Sequence, residues 1–158
     1  MTVMDVCNLG FRPGSFNYVP LVSHLISFIP KRENRVKALK GIYTVLKPEG
    51  IIIVSIISRN RGIRHNLYWS IVNSYRFFFR ILGLSNLEPG DRFVVKVSRA
   101  SSKGRMFVHY HTLNEAVLEL ESAGFEVIES RSKRELIDGI DEPFSREKNY
   151  TIYIVAKK

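Results

Sequence analysis

Apolar and polar positions along this chain fall into two alternating rhythms. Val36, Leu39, Ile42, Tyr43 and Leu46 recur at helical spacing while Arg35, Lys37 and Lys40 point elsewhere, which predicts an amphipathic helix. Lys47-Pro48-Glu49-Gly50 ends it, because proline cannot continue the helical ladder. Ile51 to Ile57 is then an almost unbroken apolar run, the mark of a strand buried on both faces inside a parallel sheet. Upstream, Arg12-Pro13-Gly14-Ser15 signals a turn, and Phe16 to Val22 is aromatic and β-branched enough for another buried strand. Pro20 is a blemish in that strand, since it lacks the amide hydrogen an interior ladder uses. Met1 to Cys7 reads as the end of an earlier strand.

Beyond Ile57 the character becomes basic and aromatic. Residues 58–104 read as an insertion: Arg59, Arg61, Arg64 and His65 lead into a helix-like stretch with Trp69, Tyr75 and Phe77 to Phe79. Arg92 to Val97 and Arg105 to Tyr110 have weak strand character, separated by a flexible tip at Ala100 to Gly104. Thr112, followed three residues later by Glu115, is a capping box, with Leu113, Val117, Leu118 and Leu120 as the buried stripe of the helix it opens. Gly124 closes that helix, and Phe125 to Arg131 and Tyr150 to Ala156 are two further strands. The connection from Ser132 to Asn149 is polar and longer than a hairpin needs.

Composition narrows the possibilities modestly. With 158 residues, 45% apolar and 25% charged, the chain has room for one domain with a sizeable core. The 24 Lys+Arg against 15 Asp+Glu give a formal charge of +9, which favours polyanionic partners. One cysteine, Cys7, cannot form an internal disulfide, and no basic region precedes an apolar stretch at the start, so a cytoplasmic location is expected. Leu67 to Leu84 is near membrane-spanning length but holds Arg76 and Arg80, each costing roughly 2.5–3.5 kcal/mol at a bilayer centre, so no membrane span is expected. The histidines and Cys7 have no recognised ligand spacing, and no metal site is assigned.

Taken together, Asp5, Asn8-Leu9-Gly10-Phe11, Gly14-Ser15-Phe16-Asn17 and Val45-Leu46-Lys47-Pro48-Glu49-Gly50 resemble a segment of class I S-adenosylmethionine-dependent methyltransferases of type 11. That family reads roughly D-A-x-x-L-P-F, D-G-S-F-D and R-V-L-K-P-G-G there. The likeness spans Met1 to Ile57, and the helix-Gly-Phe-strand-loop-strand order from Thr112 to Ala156 is similar to the family's closing antiparallel pair. Gly10, Asn17, Gly41, Thr44 and Glu49 depart from the pattern, and Gly41 sits within the predicted helix, where glycine costs about 1 kcal/mol relative to alanine.

The resemblance implies an α/β fold. Its sheet would be an incomplete Rossmann-like one, mostly parallel with an antiparallel closing strand and helices on its faces. Residues 1–158 would be a single truncated methyltransferase domain, the carboxyl-terminal portion only, without the glycine-rich cofactor loop. The implied cofactor is S-adenosylmethionine, with Asp5 on the adenine amino group, Val6 on the ring, and Ser23 and His24 beside the methionine part or the substrate. No catalytic residue is assigned. Losing the family's first strand would expose the edge of Phe16 to Val22, so a homodimer or a separate amino-terminal half is expected to cover it.

A narrower likeness links Glu88-Pro89-Gly90-Asp91, Gly104 to His111 and Asn149-Tyr150-Thr151 to the tRNA wobble-uridine carboxymethyl methyltransferases. It implies a tRNA acceptor, with Arg105, His109 and Tyr110 bordering the nucleotide and Arg59, Arg61 and Arg64 holding phosphates. Two function classes stay open. One is methyl transfer, impaired in the isolated chain; the alternative is a non-catalytic RNA-binding or assembly module derived from a methyltransferase. A membrane-surface role for Leu67 to Leu84 is a third reading.

Overall fold

A strand, a helix and a second strand parallel to the first form the opening unit of the computed structural model, which describes residues 5–6, 8–60, 62–84, 86–98, 101–139 and 149–158. Strand β1 (Phe16–Leu21) passes through a 3-10 turn (Leu25–Phe28) into helix α1 (Arg32–Val45), which runs directly into β2 (Leu46–Ile57). Parallel neighbours need such a crossover because their ends lie on opposite sides of the sheet. The register runs from Tyr18 opposite Ile51 to Leu21 opposite Val54.

The chain then leaves the sheet for α2 (Ile63–Ile81) and a separate antiparallel pair, β3 (Asp91–Ser98) and β4 (Ser101–His109). It returns through α3 (Leu113–Ser122), β5 (Glu126–Ser132), α4 (Lys133–Asp138) and β6 (Thr151–Lys157). The main sheet has the order β1-β2-β6-β5. β6 is antiparallel to both β2 and β5, so β1, β2 and β5 run one way and β6 alone runs the other. This is the mostly parallel sheet with an antiparallel closing strand that the sequence implies.

The core follows the predicted periodicities. Leu39, Ile42 and Leu46 meet Ile52, Val54 and Ile56 of β2, Ile152, Ile154 and Ala156 of β6, and Leu120 and Phe125. Among the described residues β1 lies at the edge of the sheet, where Pro20 and its missing amide hydrogen are tolerated. Gly124 adopts φ +102° with the Tyr43 ring 3.2 Å from where a Cβ would stand, so a side chain there would strike the core. The Thr112–Glu115 capping box is formed in both directions.

Several expectations need correction. Arg35, read as pointing away from the core, is fully buried. Leu118, read as part of the buried stripe of α3, is exposed, and Glu119 takes its place inside. The tip expected at Ala100 to Gly104 is shorter, because β4 already includes Ser101 to Gly104. The long connection after Ser132 begins with α4, opened by a second capping box between Ser132 and Glu135. Of the strand end expected at Met1 to Cys7 only Asp5 and Val6 are described, as an isolated bridge to Asn8 and a turn; residues 1–4 and 7, Arg61 and most of the 132–149 connection beyond α4 lie outside the described residues.

Candidate functional site at the carboxyl edge of the sheet

β1 and β2 both end on the same side of the sheet, and two layers of polar residues gather there. The outer layer starts where β1 stops. Ser23 and His24 are consecutive non-glycine residues at φ +60°, a conformation costing on the order of 1–3 kcal/mol per residue, found where surrounding structure enforces it. The enforcement is visible: the His24 amide donates to Ser55 Oγ at 2.9 Å, and its Nε2 lies 3.0 Å from Thr151 Oγ1. The Tyr150 ring meets the imidazole edge-on at 5.7 Å. Ser55 and Thr151 belong to β2 and β6, so the corner after β1 is pinned by two neighbouring strands.

The inner layer is a buried network whose members come from elements far apart in the chain. Ser27 Oγ, in the 3-10 turn, lies 3.4 Å from His111 Nδ1. His111 Nε2 is 3.5 Å from Glu119 Oε2 on α3. Glu119 receives a fork of hydrogen bonds from Arg35, at 2.9 and 3.1 Å from Nε and 2.8 Å from Nη2. Arg35 also pairs with Glu88 at 3.0 Å, and Glu88 accepts from the Arg32 amide at 2.9 and 3.1 Å. Glu88 thus supplies the acceptor that the first turn of α1 lacks, since Lys31 at the N-cap makes no side-chain cap.

His109 and Asp91 complete the network. They face each other across β3 and β4, with Nδ1 to Oδ1 at 2.7 Å, while Asp91 Oδ2 accepts from the Glu88 amide at 2.8 Å. His109 Nε2 lies 3.5 Å from Glu115, which also pairs with Arg59 at 3.4 Å. Gly90 has φ +99°, and a Cβ there would stand 2.3 Å from the Tyr110 carbonyl oxygen and 2.9 Å from the Arg59 guanidinium. The Gly90-Asp91 pair and the His109-Tyr110-His111 run therefore lock together in space.

Burial and partners set the charges. Burial works against a charged His109, but the hydrogen bond to Asp91 and the nearby Glu115 carboxylate outweigh it and raise its pKa. Burial pushes His111 down to about 4, so it is neutral at neutral pH. Glu115 is desolvated yet held at about 2 by His109 and Arg59. Burial likewise opposes the Glu119 carboxylate, and His111 and Arg35 overcome it. Glu88, Asp91 and His109 bring three metal-ligand atoms within 4.8 Å of one another. Each is already engaged, Glu88 by Arg35 and the Arg32 amide, Asp91 and His109 by one another, so the trio is a hydrogen-bonded network.

The expected site residues are distributed unevenly over this geometry. Ser23 and His24 stand together at the carboxyl edge. Asp5 is exposed and bridges to Asn8, while Val6 and Leu9 lie beside Gly41. Gly41 is in the half of α1 leading to the amino end of β2, toward the opposite end of the crossover from His24. Arg59 is turned inward to Glu115, and His109 is fully buried. Arg64 and Arg105 are exposed, and Tyr110 packs against Trp69 with ring centres 5.4 Å apart. Sequence reasoning missed Ser27, Arg35, Glu88, Asp91, His111, Glu115 and Glu119 as a unit. A signal existed for Arg35, which falls four and seven residues before Leu39 and Ile42 and so shares their face.

A family model described as a methyltransferase domain matches residues 1–54. Among curated proteins, none matches the chain. Solved structures match it throughout. An S-adenosylmethionine-dependent methyltransferase from Methanosarcina mazei superimposes with a TM-score of 0.64 at 21% identity, over 99% of this chain and 66% of that one. One from Clostridium acetobutylicum gives a TM-score of 0.60 at 11% identity, over 99% of this chain and 63% of that one. The Burkholderia thailandensis 1,6-didemethyltoxoflavin-N1-methyltransferase, solved with 1,6-didemethyltoxoflavin and S-adenosylhomocysteine, gives 0.55 at 13% identity, over 98% and 48% respectively. The fold is that of these methyltransferases, and the chain spans about two thirds of their length or less.

Proposed function

We propose that this chain is part of an S-adenosylmethionine-dependent methyltransferase, with the methionine end of the cofactor lying along the carboxyl edge of β1. The observation that carries the reading is the pinned left-handed corner at Ser23 and His24. It stands where open α/β sheets take their ligands, in a fold shared with solved methyltransferases.

The residues present fit one wall of such a site. Ser23 and His24 border the methionine part, with Tyr150 behind the imidazole. Asp5 and Val6, the expected adenine contacts, are held near Gly41 instead; Gly10 and Gly14 precede a strand, and Gly62, which caps α2 after β2, has no second glycine near it to form a cradle. When bound, the cofactor supplies a sulfonium methyl group, the electrophile of an in-line displacement. The chain's own contribution is to fix approach and exclude water, and orientation supplies most of the rate in such a transfer. Turnover by this chain alone is therefore expected to be low.

Calorimetric titration with S-adenosylhomocysteine tests the reading. Weak heat at millimolar ligand, diminished in Ser23→Val, where a β-branched residue disfavours positive φ, is the expected outcome. Absence of heat at that concentration would remove the reading for this chain.

An RNA acceptor such as tRNA is the second reading, supported by the +9 charge and by the exposed Arg64, Arg92 and Arg105. Gel shifts with tRNA that weaken steeply with salt support it, and affinity indifferent to salt rejects it. The edge position of β1 supports pairing there with a second copy or an amino-terminal segment, which light scattering reads directly.

A further inference from the structure

Helix α2 is attached to the rest of the protein by one narrow face. Trp69 is its one buried residue among the described residues, with Arg76 over the same ring at 5.9 Å. On the opposite face Ile63, Leu67, Ile71, Tyr75, Phe78 and Ile81 follow one another at intervals of three or four residues. That spacing draws a single apolar stripe about 28 Å long on a 19-residue helix. All six are exposed, Ile63 at 90% and Phe78 at 60%. Contiguous apolar surface of this kind marks an interaction site.

Charge says what covers it. Between Glu49 and Glu88 the sequence contains no acidic residue and five arginines, at 59, 61, 64, 76 and 80. Arg64 is exposed at the amino end of the stripe, whereas Arg80, about three turns from Trp69 and on its side of the helix, lines a cleft with Glu33 and Glu88. Most of the stripe is aliphatic, which offers nothing to a base stack but inserts readily among acyl chains. An apolar stripe with arginines and without acids is the composition of a helix lying in the plane of an anionic bilayer surface. No described helix is long and apolar enough to cross a membrane.

We infer that α2 is a membrane-docking helix that seats Ile63 to Ile81 at the surface of a bilayer rich in anionic lipid. Its occupant is the lipid surface itself, with the apolar stripe among the acyl chains and Arg64, at the amino end of the stripe, among the phosphates. The inference stands apart from the methyl-transfer reading, because lipid binding is measured without cofactor.

The test is co-sedimentation of the full chain with vesicles of phosphatidylcholine, with and without phosphatidylglycerol. Binding is expected to the mixed vesicles, and Ile71→Ser with Phe78→Ser should weaken it at least about tenfold, or about 1.4 kcal/mol. Arg64→Glu should weaken it roughly fivefold, and Arg80→Glu, on the Trp69 side of the helix, should change it much less. Trp69, the one tryptophan, reports whether each variant keeps its fold, since all four positions are exposed while the indole is buried. If the double variant disturbs Trp69, single Leu67→Ser and Ile81→Ser repeat the measurement. No binding to either vesicle, or equal binding by folded stripe variants, overturns the inference. So does a self-association in lipid-free solution that these substitutions abolish, or a tRNA complex that they weaken.

Discussion

Acidification should destabilise this protein through His111 before any carboxylate is involved. The ring is fully buried beside Ser27 and Glu119, and burial lowers its pKa from 6.5 to about 4. Below pH 6.5 the unfolded chain therefore takes up a proton that the folded one refuses, so stability falls with pH until the folded ring also titrates. Between pH 7 and 4.5 the linkage amounts to about 2 kcal/mol, taking 1.36 kcal/mol per unit and allowing for partial protonation at both ends. His109 acts in the opposite sense. Its raised pKa stabilises the fold below 6.5 and loses that effect as pH rises through the folded value, so it adds no slope between 4.5 and 6. Glu115, held at about 2, weakens the fold only as pH falls below about 4.5. Urea unfolding followed by Trp69 emission at pH 7, 6, 5 and 4.5 measures the slope in wild type and in His111→Asn. The variant should be less stable at pH 7, gain slightly through His109 as pH falls to about 6, and be nearly flat from there to about 4.5. A His111→Asn protein that keeps the wild-type slope, or a folded His111 resonance titrating near 6.5 by NMR, would refute the reasoning.

Two further outcomes follow from buried geometry. Glu119→Leu leaves Arg35 fully buried with Glu88 alone and should cost about 3–5 kcal/mol, whereas Arg35→Met combined with Glu119→Leu should cost less than either alone, as read by a double-mutant cycle in urea. Gly41→Ala should stabilise the protein by up to about 1 kcal/mol, a rise of about 2–4 °C in Tm by calorimetry, because its Cβ would meet Val6 O at 3.7 Å and Leu9 at 3.9 Å, ordinary contact distances.

The main sheet was legible because its elements state themselves locally. Ile51 to Ile57 can be little other than a central strand, and Thr112 with Glu115 announces a helix start from side-chain chemistry alone. The buried polar network was not legible, because its members come from α1, the segment before β3, the β3–β4 pair and α3, far apart in sequence. Single-residue rules assign arginine and glutamate to solvent, and Arg35 and Glu119 are buried only because each meets the other across two helices. That Ser23 and His24 follow the carboxyl end of β1 was legible from topology, but the backbone conformation there carries no sequence signal, since neither residue is glycine or asparagine. The exposure of α2 was partly legible: Arg76 and Arg80 within Leu67 to Leu84 mark it as amphipathic, but only the structure shows that Trp69 is the side turned inward.

β6 occupies the middle of the sheet although residues 151–157 follow every other strand. While the chain is being synthesised, the flank of β2 that faces away from β1, and β5 altogether, have no ladder partner among the described residues until those seven clear the ribosome. The sheet therefore closes after translation of this segment, by insertion of a late-arriving strand between two earlier ones. Nascent chains halted before Tyr150 should be the substrates on which a chaperone is most needed.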